Sequence, residues 1–516
     1  MEQKSTKGIW KVISASSMGT MIEWYDFYIF GSLAVVISTK FFPDDNPSAA
    51  FLATLATFAV GFVVRPFGAL FFGRLGDLIG RKYTFMVTLV LMGGATFLIG
   101  CVPSYETIGF IAPVLVLLLR MLQGLALGGE YGGAATYVAE HAPVGERGYW
   151  TSWIQTTATV GLFISLMVIL ATRNLLTPEQ FDEWGWRVPF WVSIIMVGVS
   201  YIIRKNMDES PVFAKAKSEG KTSKNPLKES FGNRYNMKVV LLALFGATMG
   251  QGVVWYTGQF YAMSFMKTVM AVETSQVDTL LGIGLLLGTP FFIFFGWLSD
   301  KVGRKYIMMG GMLLAIILYR PIYKAMYETT AVANKTEIVA NTKMVAELKE
   351  NKKKTMDSIY TTNKEYTDGT TYKEVKTVSL EGGKVMMDDK GKPKIDAKKT
   401  VTINSSDRNS LIFLIFIQLI FVTMVYGPIA AFLVEMFPVK IRYTSMSLPY
   451  HIGNGIFGGL LPAISTYLVI ESKGTDAIPD NPEFYLEGLW YPIVIASVCF
   501  VIGMVYIKNK DKNAHI

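Results

Sequence analysis

The chain has 516 residues, 51% hydrophobic and 17% charged, with a mean hydropathy of +0.36 and a formal net charge of +9. Soluble domains carry nearer a quarter charged residues, so a water-soluble globular fold is excluded. Its 2 cysteines and 3 histidines are too few and too scattered for a disulfide framework or a metal centre. Cys101 and Cys499 both fall in apolar runs, where buried thiols are expected.

Apolar runs long enough to cross about 30 Å of hydrocarbon lie near 14–38, 50–72, 83–102, 109–136, 149–172 and 187–204. A second set lies near 238–267, 279–298, 306–326, 409–433, 443–470 and 489–507. The fold class expected is an all-α membrane protein of twelve transmembrane helices in two homologous six-helix halves. Its parts would be a first bundle over 1–204, an inter-bundle loop over 205–237, and helices seven to nine over 238–326. A polar insertion follows over 327–408, and helices ten to twelve with a tail occupy 409–516. No cleavable signal peptide is read at the start, because the first run is too long and lacks a small-residue cleavage site.

Ionisable side chains are costly inside a bilayer and mark function by default. In the first run, Glu23 and Asp26 share a helix face at i and i+3. Arg65 precedes Pro66 in the second run, and the fourth holds Arg120, Gln123 and Glu130 amid Gly124, Gly128, Gly129, Gly132 and Gly133. These carboxylates and arginines are expected to pair with one another. Glu23, Asp26, Arg120 and Glu130 are candidates for carrying or tuning a transported proton.

Between runs two and three stands Gly73-Arg-Leu-Gly-Asp77-Leu-Ile-Gly-Arg81-Lys82, and it returns as Gly296-Trp-Leu-Ser-Asp300-Lys-Val-Gly-Arg304-Lys305. A second repeat follows in the same order, Glu140-x-x-Pro143-x-x-x-Arg147 matching Glu435-x-x-Pro438-x-x-x-Arg442. Two motifs in one order in each half mean an internal duplication. Asp77, Arg81, Asp300 and Arg304 are expected to clamp the cytoplasmic side. Glu140 with Arg147, and Glu435 with Arg442, would be exposed partners that break cheaply, since surface pairs are worth about 0–1 kcal/mol.

The second half places no acid at mid-depth in its seventh, tenth and eleventh runs, but it is rich in amides and tyrosines. Candidates for binding a small polar solute are Tyr25, Arg65 and Gln123 in the first half, and Tyr256, Gln259, Tyr426, Tyr450 and Asn454 in the second. Gln251, Trp255, Tyr261 and His451 share this polar face.

The interval from Asp300 to Glu435 exceeds that from Asp77 to Glu140, which locates the insertion between runs nine and ten. Within it, 333–357 is expected to be an amphipathic helix. The stretch 372–403, with Gly382-Gly383 and Asp389-Lys390-Gly391, is expected to form hairpins. Lysine and arginine concentrate in the loops after even-numbered runs and in 205–237, while the 471–488 loop is acidic. Both termini are therefore expected in the cytoplasm and the insertion on the opposite side. The net positive charge reads as this bias and not as nucleic-acid binding.

Taken together, the duplicated loop and Arg120-x-x-Gln123-Gly124 resemble the major facilitator superfamily. Ile22-Glu23-Trp24-Tyr25-Asp26-Phe27, Gly128-Gly129-Glu130-Tyr131 and Trp186-Arg187-Val188-Pro189-Phe190 resemble its metabolite:proton symporters, which include carriers of α-ketoglutarate, shikimate, citrate and proline/betaine. The resemblance implies inverted repeats within each half, proton-driven uptake, coupling at Asp26, Glu23 and Arg120, and gating at Asp77 and Asp300. The chain departs from the pattern in its insertion and in lacking a mid-membrane arginine in the second half. The expectation is thus a secondary transporter of the bacterial inner membrane. It would take up an organic acid, with Arg65 and Arg120 as cations, or else a proline/betaine-type osmolyte caged by tyrosines. An uncoupled facilitator or exchanger is the rival. No enzyme constellation and no cofactor is read, the proton being the coupling ion, and one chain, a monomer in the lipid bilayer, would hold a complete pathway.

Overall fold

A computed structural model describes residues 8–42, 47–350, 356–381, 384–387, 395–473 and 481–507. Among these, 11 helices are long and apolar enough to cross a membrane, or 12 if the pair bent by 67° at the start is one span. In chain order they are α1 (Ile9–Ser32, continuing as Ala34–Phe41), α2 (Pro47–Leu78), α3 (Arg81–Ile99), α4 (Ile111–His141), α5 (Arg147–Leu175) and α6 (Gly185–Lys205). The second set is α7 (Arg234–Thr268), α8 (Thr274–Val302), α9 (Arg304–Thr330), α10 (Ser405–Met436), α11 (Val439–Lys473) and α12 (Phe484–Tyr506).

Within the first half α2 and α3 pack on α4, and α1 packs on α5; within the second, α8 and α9 pack on α10, and α7 on α12 and α11. The halves meet where α2 crosses α11 and where α5 crosses α8, two crossings that the internal duplication makes equivalent. The α2–α4 approach depends on glycine: a side chain at Gly124 or Gly128 would overlap the carbonyls of Gly61 or Arg65. The charged turns depend on it differently. Gly80 has φ +143° and Gly303 φ +111°, so each copy of the repeat leaves one helix and enters the next through backbone that L side chains rarely adopt.

α7 and α11 are not regular. Wider π turns interrupt α7 at Leu244–Thr248 and Thr257–Tyr261, and α11 at Ile452–Gly458. Such turns re-aim side chains and are frequent at functional sites.

Between α9 and α10 the chain forms an antiparallel sheet of β1 (Lys343–Glu350), β2 (Met356–Glu365), β3 (Thr371–Glu381), β4 (Lys384–Val385) and β5 (Ile395–Thr402). The helix expected over 333–357 does not form. Short 3-10 turns at Val332–Asn334 and Val339–Asn341 lead into β1, which pairs along its whole length with β2, from Lys343↔Asn363 to Glu350↔Met356. A neighbouring strand satisfies those backbone groups and overrides the local helical pattern. β3 pairs with both β4 and β5, as hairpins require, while Gly382-Gly383 and Asp389-Lys390-Gly391 lie outside the described residues. So do His515, both chain ends and 474–480 of the acidic loop. The sheet is tied to the second half: Val401 N–H donates to Ala271 O (2.7 Å), Glu273 N–H to Val401 O (2.9 Å), and Lys335 Nζ bonds Asp368 and Asp407 (2.5 Å each).

One thiol differs from expectation. α3 ends at Ile99, so Cys101 falls in the turn beyond it and is exposed, whereas Cys499 is buried in α12.

Candidate functional site

Buried ion pairs order the first half. Arg120 Nη1 donates to Asp26 Oδ2 (2.9 Å) and to Gln123 Oε1 (2.6 Å), and its guanidinium lies 3.8 Å over the Phe30 ring. Gln123 Nε2 donates to Asp26 Oδ1 (2.9 Å) and Thr96 Oγ1 (2.7 Å). Gln123 thereby braces the Asp26–Arg120 pair while lining the same cleft. Glu23 and Arg65 form a looser pair, 3.3 Å apart, with Arg65 4.5 Å above Phe62. Glu23, Asp26, Phe62, Arg65, Arg120 and Gln123 line one small cleft. Charges so placed persist because each has a counter-ion, since an unpaired one costs several kcal/mol.

Glu130 stands apart from this cleft. It is fully buried, takes 2.5 Å and 2.7 Å hydrogen bonds from Arg204 Nη2 and Thr88, and Arg204 also donates to the carbonyls of Phe85 (2.5 Å) and Ala15 (3.2 Å). That network staples α1, α3, α4 and α6. The expectation that Glu130 pairs with Arg65 or Arg120 therefore fails: its counter-ion is Arg204, at the end of the sixth run, which the sequence did not single out. Tyr25 also leaves the binding set. Its hydroxyl donates to Pro189 O (2.6 Å) and its ring is fully buried, because residues flanking the Glu23–Asp26 face turn into the bundle.

The second half contributes aromatic and amide surface to the same level. Trp255 meets Trp24 (centroids 4.9 Å), Phe260 meets Phe27 (4.9 Å) and Tyr256 meets Phe62 (6.5 Å) across the halves. Asn454 and Gln251 satisfy each other through paired amide bonds of 2.9 and 3.0 Å, which fasten α11 to α7 and leave Asn454 a brace instead of a ligand. Tyr426 and Tyr450 share a 2.7 Å hydroxyl contact. Tyr450 also lies flat on Tyr131 of the first half (3.8 Å, 4°), whose hydroxyl accepts from Gln155 Nε2 (2.7 Å). Tyr426 and Tyr450 thus plug the space between the halves. Gln259 is 5% exposed. Tyr131 and Gln155 escaped the reading as site residues of this layer, though Tyr131 is adjacent to a charged residue that the motif flagged.

At the helix ends where the charged turns lie, the two duplicated motifs interlock crosswise. Asp77 of α2 accepts from Thr444 N–H (2.8 Å), Thr444 Oγ1 (2.7 Å) and Tyr443 N–H (3.4 Å) in the first turns of α11. Asp300 of α8 accepts from Gly148 N–H (2.9 Å) and Tyr149 N–H (2.8 Å) at the start of α5. Each carboxylate caps a helix N-terminus of the opposite half, where free N–H groups and the helix dipole favour negative charge. Arg81 holds Asp77 (3.0 Å) and donates to Val439 O (2.8 Å), and Arg304 holds Asp300 (2.5 Å) and Glu435 (2.9 Å).

The expected partnership of Glu140 with Arg147 and of Glu435 with Arg442 does not occur among the described residues. Glu140 instead accepts from Arg442 (2.9 Å) and lies 3.7 Å from Arg81, all three side chains at most 1% exposed. Ser210 also donates to Glu140. These pairs are buried, contrary to the expectation of exposed, cheaply broken contacts, because α2, α4 and α11 converge over them. Arg147 heads the helix that Asp300 caps.

Residues 11–234 match the family model described as "Sugar (and other) transporter", and 134–345 match "MFS/sugar transport protein". The chain is similar to a putative metabolite transport protein of Haemophilus influenzae, 30% identical over 97% of this chain and 95% of that one. It is 35% identical to the shikimate transporter of Escherichia coli, over 60% of this chain and 71% of that one. It is 34% identical to the proline/betaine transporter of Salmonella typhimurium over 59% of this chain, and spans 62% of that relative's length. In fold it is similar to the proton:xylose symporter XylE, with TM-score 0.64 at 14% identity over 98% and 97% of the two chains.

Proposed function

Because this chain belongs to the metabolite transporters of the major facilitator superfamily, we propose that it takes up a small organic acid, such as a dicarboxylate or α-ketoglutarate, by proton-coupled symport. It is a multi-pass membrane transporter, not an enzyme. The observation that carries the reading is the cleft of the first half that holds Asp26–Arg120 and Glu23–Arg65, with aromatic rings of the second half packed against its Phe27 and Phe62.

The coupling follows from charge balance. With the cleft empty, each carboxylate neutralises its arginine. A proton arriving on Glu23 or Asp26 leaves an uncompensated guanidinium, which then takes the carboxylate of the substrate. With one proton taken up for each carboxylate of the substrate, on Glu23, Asp26 or both, the cleft is neutral when empty or fully loaded, and charged when protons or substrate bind alone. Occluding an unpaired charge costs several kcal/mol, so the half-loaded carrier stays open and proton and substrate cross together. In the locked state the cytoplasmic caps hold; loading makes closure above the cleft favourable, and the halves rock the other way.

A second reading, a proline/betaine-type osmolyte, is favoured by one feature: Trp24, Phe62, Trp255 and Tyr256 gather beside Arg65, and aromatic faces attract a quaternary ammonium. In the proposed orientation the basic loops face the cytoplasm, with both termini, and the sheet faces the other side of a bacterial inner membrane. One chain supplies the whole pathway, so a monomer suffices.

The deciding experiment uses proteoliposomes with a pH dye inside and a panel of organic acids and betaines added outside. Lumenal acidification by one class identifies symport and substrate together. Entry of labelled compound at constant lumenal pH would instead mean an uncoupled facilitator or exchanger.

A further inference from the structure

The inserted sheet is bonded at its base to helix ends of the second half. Val401 of β5 turns both backbone groups toward the loop between α7 and α8: its N–H donates to Ala271 O (2.7 Å), and its carbonyl accepts from Glu273 N–H (2.9 Å). Together they make a parallel bridge with Val272. Gln276, in the first turn of α8, accepts from Ile403 N–H (2.9 Å) and donates to Ile403 O (3.1 Å). Val272, Val401 and Ile403 are buried in the core of the second half. On the other flank Lys335, just past α9, and Asn404, which caps α10, both bond Asp368 and Asp407. The base of the sheet therefore ties the ends of four helices, α7 to α10.

The docked loop holds a conformation that the chain would not choose. Alone among the described non-glycine residues, Ala271 has a positive φ, +54°. That backbone costs an alanine about 1–2 kcal/mol and persists where the surroundings enforce it. Here the bond from Val401 falls on the carbonyl of Ala271 itself.

From this loop α7 runs back to the cleft. Phe260 packs on Phe27, a wall of the cleft (4.9 Å), and stacks on Tyr28 (6.4 Å). The π turn Thr257–Tyr261 holds Phe260, and between it and the docked loop stands one short regular segment, Ala262–Thr268, of 7 residues. π turns are among the few places where helices kink sharply. A kink of about 30° there would carry Thr268, about 10 Å away at 1.5 Å per residue, through about 5 Å.

We infer that the inserted sheet is a strap: it fixes the end of α7 to α8, α9 and α10, so that α7 cannot swing on its π turn. The cleft then opens on the sheet side only when the second half moves as one body, which also works the charged caps at the opposite end. A free α7 would uncover Phe27 by itself and open the cleft without that movement. The inference holds whichever substrate the cleft takes.

The test is spin-label distance measurement on the full-length reconstituted protein carrying Cys101→Ser, which removes the exposed thiol and leaves buried Cys499. One pair of labels joins Thr39→Cys of α1 to Thr268→Cys of α7; the reference pair joins Thr39→Cys to Asn409→Cys of α10. All three positions are exposed. The releasing variant is Val401→Pro. It deletes the N–H that reaches Ala271 and spares the ladder, because a residue that turns both groups outward opposite Tyr372 occupies a non-hydrogen-bonded pair. In this variant the 39–268 distribution lengthens or broadens by about 5 Å, while the 39–409 distribution stays as it was. Two unchanged distributions overturn the inference, and so do two that change alike, since the half then moves as one body without the strap. Should Val401→Pro fail to fold, Gln276→Leu decides, since it severs only the two bonds to Ile403: an unchanged 39–268 distribution there overturns the strap.

Discussion

Glu140 in the first half accepts a 2.9 Å hydrogen bond from Arg442 in the second, and neither side chain is more than 1% exposed. A sealed pair of this kind is a lock and not a surface contact, because removing one partner strands the other charge at a cost of about 3–5 kcal/mol. Glu140→Gln is therefore expected to favour the cytoplasm-open state. The measure is labelling of Ser447→Cys, buried at this interface, by an impermeant thiol reagent applied from the cytoplasmic side. The rate should rise about tenfold or more, and an unchanged rate would remove the lock from the mechanism.

Asp77 and Asp300 cap helices of the opposite half at two separate crossings. Each Asp→Ala change should weaken closure by at least about 1 kcal/mol, the usual worth of a cap, and more where it strands Arg81 or Arg304. The sites share no partner, so the double variant should open by the sum of the two. Strong non-additivity in the same labelling assay would show that the two crossings do not act independently.

Asp26→Asn should abolish substrate-driven acidification of proteoliposomes and also lower thermal stability, because the buried Arg120 guanidinium loses the carboxylate charge that balances it at 2.9 Å. Adding Arg120→Gln should recover the stability without the coupling. If the single variant still acidifies the lumen, the proton travels elsewhere.

Glu130 and Arg204 make the contrasting case. Their pair braces four helices away from the cleft, so Glu130→Gln should cost about 3–5 kcal/mol of stability while the number of protons moved per substrate stays the same. A changed ratio would return Glu130 to the coupling group.

Gly80→Ala and Gly303→Ala each force a side chain onto backbone with φ of +143° and +111°, for a loss of about 1–2 kcal/mol. Gly94→Ala in α3, where an added methyl meets nothing within 4 Å, should be neutral or slightly stabilising. A melting temperature insensitive at Gly80 and Gly303 would contradict the turn geometry.

The spans, their order and the duplication were legible because each rests on a local cost. An apolar run of bilayer length, a charge inside it, and a glycine between two charged helix ends each declare themselves within a few residues. That is why Glu23, Asp26, Arg65 and Arg120 stood out before any fold was known, and why the Asp77 and Asp300 turns did.

Partnership was decided only by the tertiary structure. The sequence shows that Glu140 needs a cation, but not that the cation lies 302 positions away in Arg442 instead of seven away in Arg147. It likewise shows Glu130 in the membrane without its counter-ion Arg204, Tyr25 beside two functional acids without its bond to Pro189, and 343–350 as helical without β2 alongside. The reason is physical. Burial penalties act on single residues and are written in residue type and spacing, whereas the counter-charge or backbone partner that offsets them is chosen by where helices cross and strands align.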